Sequence, residues 1–354
     1  MPPAPRSPTP SPEPRVAVVG AGAIGCWVGG MLAPTTAVTL IGRPGVLDPV
    51  RADGLTVEAP GLPSRLVPAD RPTLTTDPAA VSGAEVVLVS VKSRDTLSAA
   101  AAIAGHLQPG TVVVSLQNGL HNADRLREAL PGNGVHVVAG MVEFNVVRTG
   151  PATYRRATSG DIYLGQDPAL DGFLAAAETA GLRIHARADI REVQHAKLLL
   201  NLNNAVNALS GLPLREELGQ RDYRRVLAAC QEEALAVYAA IGVTPARLTP
   251  ISPAATIRML RSPDPVFRAA ARASLRVDPT ARSSMADDLA AGRPTEIAEL
   301  QGEVARLGQA HGIPTPVCEA VCRLVAEAER AGPDTRRRWD GRDLLHEVLG
   351  GRRG

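Results

Sequence analysis

Lysine is almost absent from this chain of 354 residues: of its 38 lysines and arginines, only Lys92 and Lys197 are lysines. Arginine replaces lysine at most solvent-facing positions without loss, so the two that remain are candidates for chemistry that arginine cannot perform. Aromatic residues make up only 3% of the chain, which argues against platforms that stack nucleic-acid bases. With a formal net charge of +2 and scattered arginines, no nucleic-acid partner is expected.

Long apolar runs and paired cysteines are also missing. No run approaches the ~18 apolar residues that span a bilayer, so no membrane association is predicted. None of Cys26, Cys230, Cys318 and Cys322 is spaced as C-x-x-C, which favours single thiols in a reducing compartment over a disulfide or metal framework. Residues 1–14 are rich in proline and serine and lack the apolar core of a signal peptide. They are predicted to form a disordered tail on a cytoplasmic protein.

What is present is an α/β pattern followed by a helical one. Residues 15–188 alternate β-branched runs with helical segments, which predicts a doubly wound parallel sheet with helices on both faces. The runs are RVAVVG at 15, AVTLIG at 37, AEVVLVSVK at 84, TVVVSLQNG at 111, VHVVAGM at 135 and DIYLG at 161. Residues 189–354 read as an all-helical second domain. Its predicted helices span 190–210, 220–241, 253–274, 283–311 and 315–331.

The motif GAGAIG follows the first strand and precedes a helix. Gly20 permits a tight turn, Gly22 lets the backbone approach a pyrophosphate, and Gly25 lets the helix pack close to the strand. In this position the motif predicts dinucleotide binding rather than a structural glycine turn. The predicted cofactor-binding residues of this turn are Gly20, Ala21, Gly22, Ala23, Ile24 and Gly25.

Three further side chains follow predicted strands on the edge where this cofactor is expected. Arg43 ends the second strand, where an NAD enzyme places an acidic residue, so NADP is favoured over NAD; a solvated surface arginine is the alternative. Lys92 and Asn118 end the next strands and should face the same crevice. The alternatives are a capping or solvated lysine and a simple Asn-Gly turn.

In the segment AKLLLNLNNAVNAL, Lys197, Asn201 and Asn204 recur at i, i+4 and i+7. On one helix they form a polar stripe, which predicts the wall of a wet cleft. Hydride transfer to a carbonyl leaves an alkoxide that needs a proton, and a partly buried lysine can supply it where arginine cannot. The later segment ARSSMADDLAAGRPTEI adds Ser284 and Glu296. Glu296 is a catalytic candidate that could orient Lys197, or could accept from the ribose or nicotinamide; the alternative for this segment is a helix cap and a solvated face.

Together these pieces resemble the ketopantoate reductase family, 2-dehydropantoate 2-reductase. The resemblance covers residues 15 to about 325, in family order, and rests on GAGAIG, VSVKSRDT, SLQNGL, AKLLLNLNNAVNAL, SSMADDLAAGRPTEI and HGIPTP. It implies a Rossmann-like nucleotide domain, a helical substrate-binding and dimerisation domain, and NADPH-dependent reduction of 2-dehydropantoate to (R)-pantoate, on the route to coenzyme A.

The resemblance also implies roles for particular residues. Lys197 matches the catalytic general acid, Asn201 and Ser284 match substrate-binding residues, and Glu296 matches the glutamate near the cofactor. Asn204 is a further substrate-binding candidate. Arg43, Lys92 and Asn118 match contacts on the nucleotide side.

Two positions depart from the family pattern. Ala205 and Leu214 stand near positions where family members often carry asparagines that bind substrate, so a different 2-keto acid or an opine-type substrate is an alternative. A catalytically idle NADPH-binding sensor is a second alternative. The apolar helices of the second domain predict either a homodimer or a core within that domain. No metal is expected, and no role is assigned to the segment after Trp339.

Overall fold

The β-branched runs form strands in the computed structural model, which describes residues 13–130, 132, 134–270 and 281–350. Of the predicted tail at 1–14, residues 1–12 lie outside the described residues. Within them there are twelve strands: β1 Arg15–Val19, β2 Ala37–Ile41, β3 Leu55–Glu58, β4 Arg65–Val67, β5 Thr73–Thr75, β6 Val86–Val89, β7 Val112–Ser115, β8 His136–Val142, β9 Val146–Arg148, β10 Thr153–Arg156, β11 Ile162–Gly165 and β12 Ile184–Arg187.

Eight of these strands make one sheet in the order β12-β11-β8-β7-β6-β1-β2-β5. All neighbours are parallel except β8 and β11. β6 and β7 are buried along their whole length, as expected for strands covered by helices on both faces. Because β2 lies on one side of β1 and β6 on the other, a crevice opens at the carboxyl end of β1. The predicted α/β class is confirmed.

A second, smaller sheet was not predicted. It has the order β4-β3-β10-β9, and the indole Nε1 of Trp27 donates to the main-chain oxygen of Glu58 on β3 at 2.9 Å, which ties it to the first helix. Its strands are three or four residues long, too short to show a clear period of two. The chain leaves the large sheet after β8 to build β9 and β10. It returns beside β8 as β11, which explains the single antiparallel pair.

The helices within the described residues are α1 Ala23–Leu32, α2 Pro44–Asp53, α3 Thr96–Ile103, α4 Asn122–Ala129, α5 Asp171–Thr179, α6 Ile190–Asn201, α7 Asn203–Ser210, α8 Leu214–Leu218, α9 Arg221–Ala240, α10 Pro253–Arg261, α11 Asp264–Ala270, α12 Ser284–Ala290, α13 Gln301–His311, α14 Pro316–Ala331 and α15 Gly341–Gly350. From residue 190 onward the described chain contains helices and no strand, as predicted. No described helix has the length and apolar character needed to cross a bilayer.

Three predicted helices are interrupted. The helix predicted at 190–210 divides at Leu202, whose carbonyl accepts a hydrogen bond from Nε2 of Gln301 at 2.7 Å; a side chain that bonds into the backbone ladder is a common cause of such a break. The helix predicted at 283–311 stops at α12, because Gly292 has a left-handed φ of +64° and Pro294 follows. The helix predicted at 253–274 divides into α10 and α11, and residues 271–274 lie outside the described residues.

The segment after Trp339 completes the helical core. α15 packs against α9 and buries Leu344 and Val348. The main-chain oxygen of Trp339 accepts a hydrogen bond from the Tyr223 hydroxyl at 2.7 Å. This segment is therefore structural.

Candidate active site

The glycine motif forms the turn between β1 and α1. Gly20 has φ +99°, and a Cβ on Gly25 would lie 2.4 Å from the carbonyl oxygen of Gly20. Only glycine fits these two positions. Gly22 differs, because the nearest protein atom to its Cβ position is 4.0 Å away. Its open side and the first N–H groups of α1 fit the approach of a pyrophosphate.

Arg43 directly follows Gly42 at the end of β2 and precedes α2. Its side chain is exposed, beside the glycine turn, since a Cβ on Gly42 would lie 2.5 Å from Cβ of Ala21. A guanidinium in this place fits a 2′-phosphate, whereas a carboxylate would repel one.

Lys92 lies beyond β6 and crosses to the helical domain. Its Nζ is 2.9 Å from Oδ2 of Asp288 and 3.8 Å from Oε2 of Glu296. Asp288 is nearly buried and also accepts from Nε of Arg293 at 2.9 Å. Two cations thus share one buried carboxylate, which offsets the cost of burying its charge.

Asn118, beyond β7, connects three parts of the site. Its Nδ2 donates to Oε2 of Glu296 at 3.3 Å, and its Oδ1 accepts from Nδ2 of Asn201 at 3.3 Å. The main-chain N–H and hydroxyl of Ser93 approach the other oxygen of Glu296, both at 3.4 Å. Asn118, at the end of β7, therefore contacts Asn201 of α6 and Glu296 of the segment after α12.

Lys197 faces the same cleft from α6. Its Nζ donates to the main-chain oxygen of Glu143 at 2.7 Å. Burial lowers the pKa of Lys197 to about 8, while the charge of Glu143 acts in the opposite direction. Loss of solvation disfavours the ammonium, so its proton is easier to transfer near neutral pH. The prediction that Glu296 orients Lys197 is not met, because the lysine that Glu296 approaches is Lys92, whereas Lys197 bonds to a backbone carbonyl.

The cleft lies between α6 and the carboxyl ends of β7 and β8. One of its walls is fixed where Nε2 of Gln194 donates to the main-chain oxygen of Gly140 on β8 at 3.2 Å, which binds α6 to the large sheet. The lining residues are Gln117, Asn118, Gly119, Gly140, Met141, Val142, Gln194, Lys197, Leu198, Asn201 and Leu300.

Asn204 and Ser284 lie beyond this cleft, past the break at Leu202. The hydroxyl of Ser283 donates to the main-chain oxygen of Asn204 at 3.0 Å and accepts from the N–H of Ala286 at 3.1 Å. Ser283 is thus the buried N-cap of α12, and Ser284 is its first residue, partly exposed. The three-residue stripe predicted on one helix is divided between α6 and α7.

The two departures from the family pattern have different surroundings. Ala205 is fully buried in the helical core. Leu214 is the partly exposed first residue of α8, and its N–H donates to the main-chain oxygen of Ala281 at 2.9 Å. Its hydrogen-bond partner, Ala281, is three residues before Ser284 in the chain. Leu214 is therefore bonded directly to the segment that leads into Ser284.

Sequence reasoning missed several residues that shape the site. Ser93 holds Glu296, Gln194 fixes α6, and Glu143 holds Lys197. Asp288, which lies in the segment that supplies Ser284 and Glu296 but was given no role, holds Lys92. Ser93 directly follows Lys92, a predicted site residue, and this adjacency is the signal by which the sequence could have identified it. Glu143 accepts from Lys197 with its main-chain oxygen, and Gln194 donates to the main-chain oxygen of Gly140. Each contact joins residues 54 positions apart, so residue type and spacing do not reveal it.

Comparison with known proteins places the chain in a family. Residues 16–169 match the family model "Ketopantoate reductase PanE/ApbA", and residues 189–329 match "Ketopantoate reductase PanE/ApbA C terminal". The chain belongs to the ketopantoate reductase family. It is accordingly an oxidoreductase that depends on a nicotinamide dinucleotide.

Relatives support this membership. A protein of Halobacterium salinarum named 2-dehydropantoate 2-reductase is 35% identical over 326 residues, 90% of this chain and 100% of the relative. A solved PanE/ApbA family ketopantoate reductase from Ralstonia eutropha is 34% identical with a TM-score of 0.76, covering 89% of this chain and 98% of the other. A D-mandelate dehydrogenase structure with NADH and anilino(oxo)acetate has a TM-score of 0.72 at 21% identity, covering 90% and 99%, and shows the same fold.

Proposed function

We propose that the protein catalyses the NADPH-dependent reduction of 2-dehydropantoate to (R)-pantoate, a step toward pantothenate and coenzyme A. The observation that carries the proposal is Lys197, a lysine of lowered pKa in a cleft beside the strand ends of a dinucleotide-binding domain. The name of the Halobacterium salinarum relative supports the choice of substrate.

Lys197 serves as the general acid. NADPH, when bound, supplies a hydride to the keto carbon. The ammonium of Lys197 stabilises the negative charge that develops on the keto oxygen and transfers a proton to it. Because the pKa is about 8, the group is mostly protonated at neutral pH and releases its proton far more readily than arginine.

The polar residues around Lys197 bind and orient the reactants. Asn201, one helical turn after the lysine, has amide groups that suit hydrogen bonds to the keto acid. Asn118 and Glu296 lie on the side of the nucleotide domain and suit contacts with ribose or nicotinamide. Ser284 is assigned to the substrate carboxylate and Asn204 to a further polar group; both lie beyond the cleft, so this assignment requires the substrate to extend past the break at Leu202 toward α12.

The preference for NADPH over NADH is assigned to Arg43. It is exposed at the end of β2, where its guanidinium can pair with a 2′-phosphate. Gly20 and Gly22 would hold the pyrophosphate at the N-terminus of α1.

A spectrophotometric assay tests the reaction directly. Oxidation of NADPH is followed with 2-dehydropantoate as substrate, and the expected result is saturable turnover that is much faster than with NADH. Turnover of another 2-keto acid with none of 2-dehydropantoate would overturn the substrate assignment. Tight NADPH binding without reduction of any keto acid would identify an idle sensor instead.

A second candidate is reduction of a 2-keto acid with an apolar side chain. It is favoured by Leu214, which is partly exposed and bonded to the segment that leads into Ser284. A leucine cannot hydrogen-bond a substrate hydroxyl. A panel of 2-keto acids with and without a 4-hydroxyl discriminates the two candidates through kcat/KM.

The proposal includes a homodimer formed through the helical domain. Leu200 and Ile251 are exposed apolar residues of that domain and line the same groove beside α6 and α9. Light scattering after size-exclusion chromatography measures the mass directly; a monomer at micromolar concentration would refute a stable dimer.

A further inference from the structure

The ammonium of Lys197 is held by a backbone carbonyl and not by a carboxylate. Its Nζ donates to the main-chain oxygen of Glu143 at 2.7 Å, immediately after β8. These two residues are 54 positions apart. Since a carbonyl has a direction set by the backbone, the place of the ammonium depends on how residue 143 is held.

Residue 143 is fixed by a double connection to Asp161. The N–H of Glu143 donates to the main-chain oxygen of Asp161 at 3.0 Å. In return, the N–H of Asp161 donates to Oε2 of Glu143 at 3.1 Å. One connection uses backbone alone, whereas the other needs the Glu143 carboxylate.

Asn145, two residues after Glu143, extends this connection. The N–H of Asn145 donates to the hydroxyl of Thr158 at 2.9 Å, and the main-chain oxygen of Asn145 accepts from the N–H of Ala157 at 2.8 Å. Segments 143–145 and 157–161 are therefore joined by four hydrogen bonds, and the first segment presents the Glu143 carbonyl to the lysine.

Gly160 leaves room for the Glu143 side chain. Gly160 has φ +133°, and a Cβ there would lie 2.7 Å from Cβ of Glu143 and 2.9 Å from its Oε2. Real Cβ atoms essentially never approach so closely. The Glu143 side chain therefore occupies space that a side chain at residue 160 would otherwise fill.

We propose that Glu143 is a positioning residue for Lys197, with its main-chain carbonyl receiving the ammonium and its carboxylate fixing that carbonyl through Asp161. The effect on turnover rests on the proposed function of Lys197 as general acid. The effect on the lysine itself does not depend on any reaction.

The Glu143 carboxylate also acts on the lysine through its charge. Burial lowers the pKa of Lys197, and the charge of Glu143 limits that decrease. Titratable and charged groups on the neighbouring elements are Asp161 before β11, Tyr163 on β11, Arg183, His185 and Arg187 at and just before β12, and Arg156 on β10. Glu143 is the group whose charge favours the ammonium, so its removal should lower the pKa of Lys197 further.

The charge effect is measured by NMR on the whole protein labelled with [ε-¹³C]lysine. The chain has only two lysines, so two side-chain signals are expected, and Lys92→Arg assigns them. In Glu143→Gln, which retains an oxygen for the Asp161 N–H, the titration midpoint of Lys197 should move to lower pH. Glu192→Gln, on the same helix as the lysine, is the matched control and should leave it unchanged. An unchanged midpoint in Glu143→Gln would show that the charge of Glu143 does not act on Lys197.

The positioning effect is measured by kcat in the keto acid assay. Gly160→Ala displaces the Glu143 side chain and should lower kcat by ~10- to 100-fold, the scale of small misplacements of reacting groups. Gly181→Ala is the matched control, because Gly181 also has a positive φ but no protein atom near its Cβ position. Glu143→Ala, which removes the carboxylate without adding bulk, should lower kcat to a similar extent.

The two measurements separate the proposal from the function on which it rests. If no keto acid is reduced by the wild type, the proposed function fails while the lysine titration still decides the role of the Glu143 charge. Wild-type kcat in a folded Gly160→Ala or Glu143→Ala protein would show that the carboxylate does not position the lysine.

Discussion

The nucleotide-binding half and the helical half contribute to the site in different ways. In the first, function follows local geometry: GAGAIG is a continuous turn, and Arg43, Lys92 and Asn118 each follow one strand. In the second, Lys197, Asn201 and Glu296 take their places through contacts with residues 54, 83 and 178 positions away. The first half can therefore be deduced from short motifs, while the second depends on tertiary structure.

This difference predicts whether a substitution in each half affects cofactor binding or turnover. A change in the glycine turn or at Arg43, in the nucleotide half, should weaken cofactor binding and leave the chemical step intact. A change in the helical half should affect turnover and leave the cofactor bound. Of the four predictions that follow, ordered from the largest expected effect, the first two test this division, the third tests the stability of the helical half, and the fourth tests the contact between the halves.

Replacement of Lys197 by arginine should lower kcat by ~10²- to 10⁴-fold, the range expected for loss of general acid catalysis. Arginine keeps the charge but does not release its proton at a useful rate. In the wild type, kcat should fall as pH rises through about 8, where Lys197 loses its proton, and the variant should lose this dependence. Steady-state kinetics from pH 6 to 10 measure both.

The same variant should bind NADPH with nearly unchanged affinity, as measured by fluorescence titration. Lys92→Arg is the matched control, since it alters the other lysine and is expected to act mainly on cofactor binding. A Lys197→Arg enzyme with wild-type kcat would refute the general-acid role.

Replacement of Arg43 by alanine should raise KM for NADPH by ~10- to 100-fold, because a charge-assisted hydrogen bond to phosphate contributes about 1.5 to 3 kcal/mol. KM for NADH should change little, since NADH has no 2′-phosphate. Arg51→Ala, an exposed arginine at the other end of α2, serves as the control. Equal losses with both cofactors would contradict the assignment.

The sequence predicted six of the eight strands of the large sheet, because buried parallel strands such as β6 and β7 are continuous apolar runs, and it missed the edge strands β5 and β12. It failed where the signal is short or long-range. The second sheet has strands of three or four residues, and the break at Leu202 is associated with Gln301, a residue 99 positions away. For the site, residue types and spacing identified Lys197 and Asn201. The acceptor for the Lys197 ammonium is a main-chain carbonyl, which every residue has, so the sequence does not show which residue supplies it. Glu143 therefore required the structure.

Replacement of Glu217 by glutamine tests a buried acid of the helical half that does not belong to the cleft. Burial raises the pKa of Glu217 to about 8, from an ordinary value of 4.5, and Nδ2 of Asn203 donates to its Oε2 at 3.1 Å. Oε1 of Glu217 and Oδ1 of Asn203 are both buried without a partner in the described part of the chain. A protonated acid, or a glutamine amide, supplies the donor that these atoms need.

The sign of the pH effect follows from the raised pKa. The folded state holds the Glu217 proton more tightly than the unfolded state, so stability is fully present below about pH 4.5 and decreases as pH rises through about 8. Glu217→Gln should therefore have a higher Tm than the wild type at pH 9, with a smaller difference at pH 5. Glu216→Gln, an exposed neighbour on α8, is the control, and a parallel pH dependence in wild type and Glu217→Gln would contradict the prediction.

The smallest expected effect concerns the contact that joins the two halves, the 3.3 Å hydrogen bond from Asn201 to Asn118. A double-mutant cycle with Asn118→Ala and Asn201→Ala should give a coupling free energy of about 0.5 to 1.5 kcal/mol in urea unfolding of the ligand-free protein. Agreement with additivity within about 0.3 to 0.5 kcal/mol would show that the contact is not energetically significant. The same cycle in KM for the keto acid is informative, because Asn201 also faces the cleft. Coupling in stability but not in KM would mean that the bond aligns the two halves and is released when substrate binds.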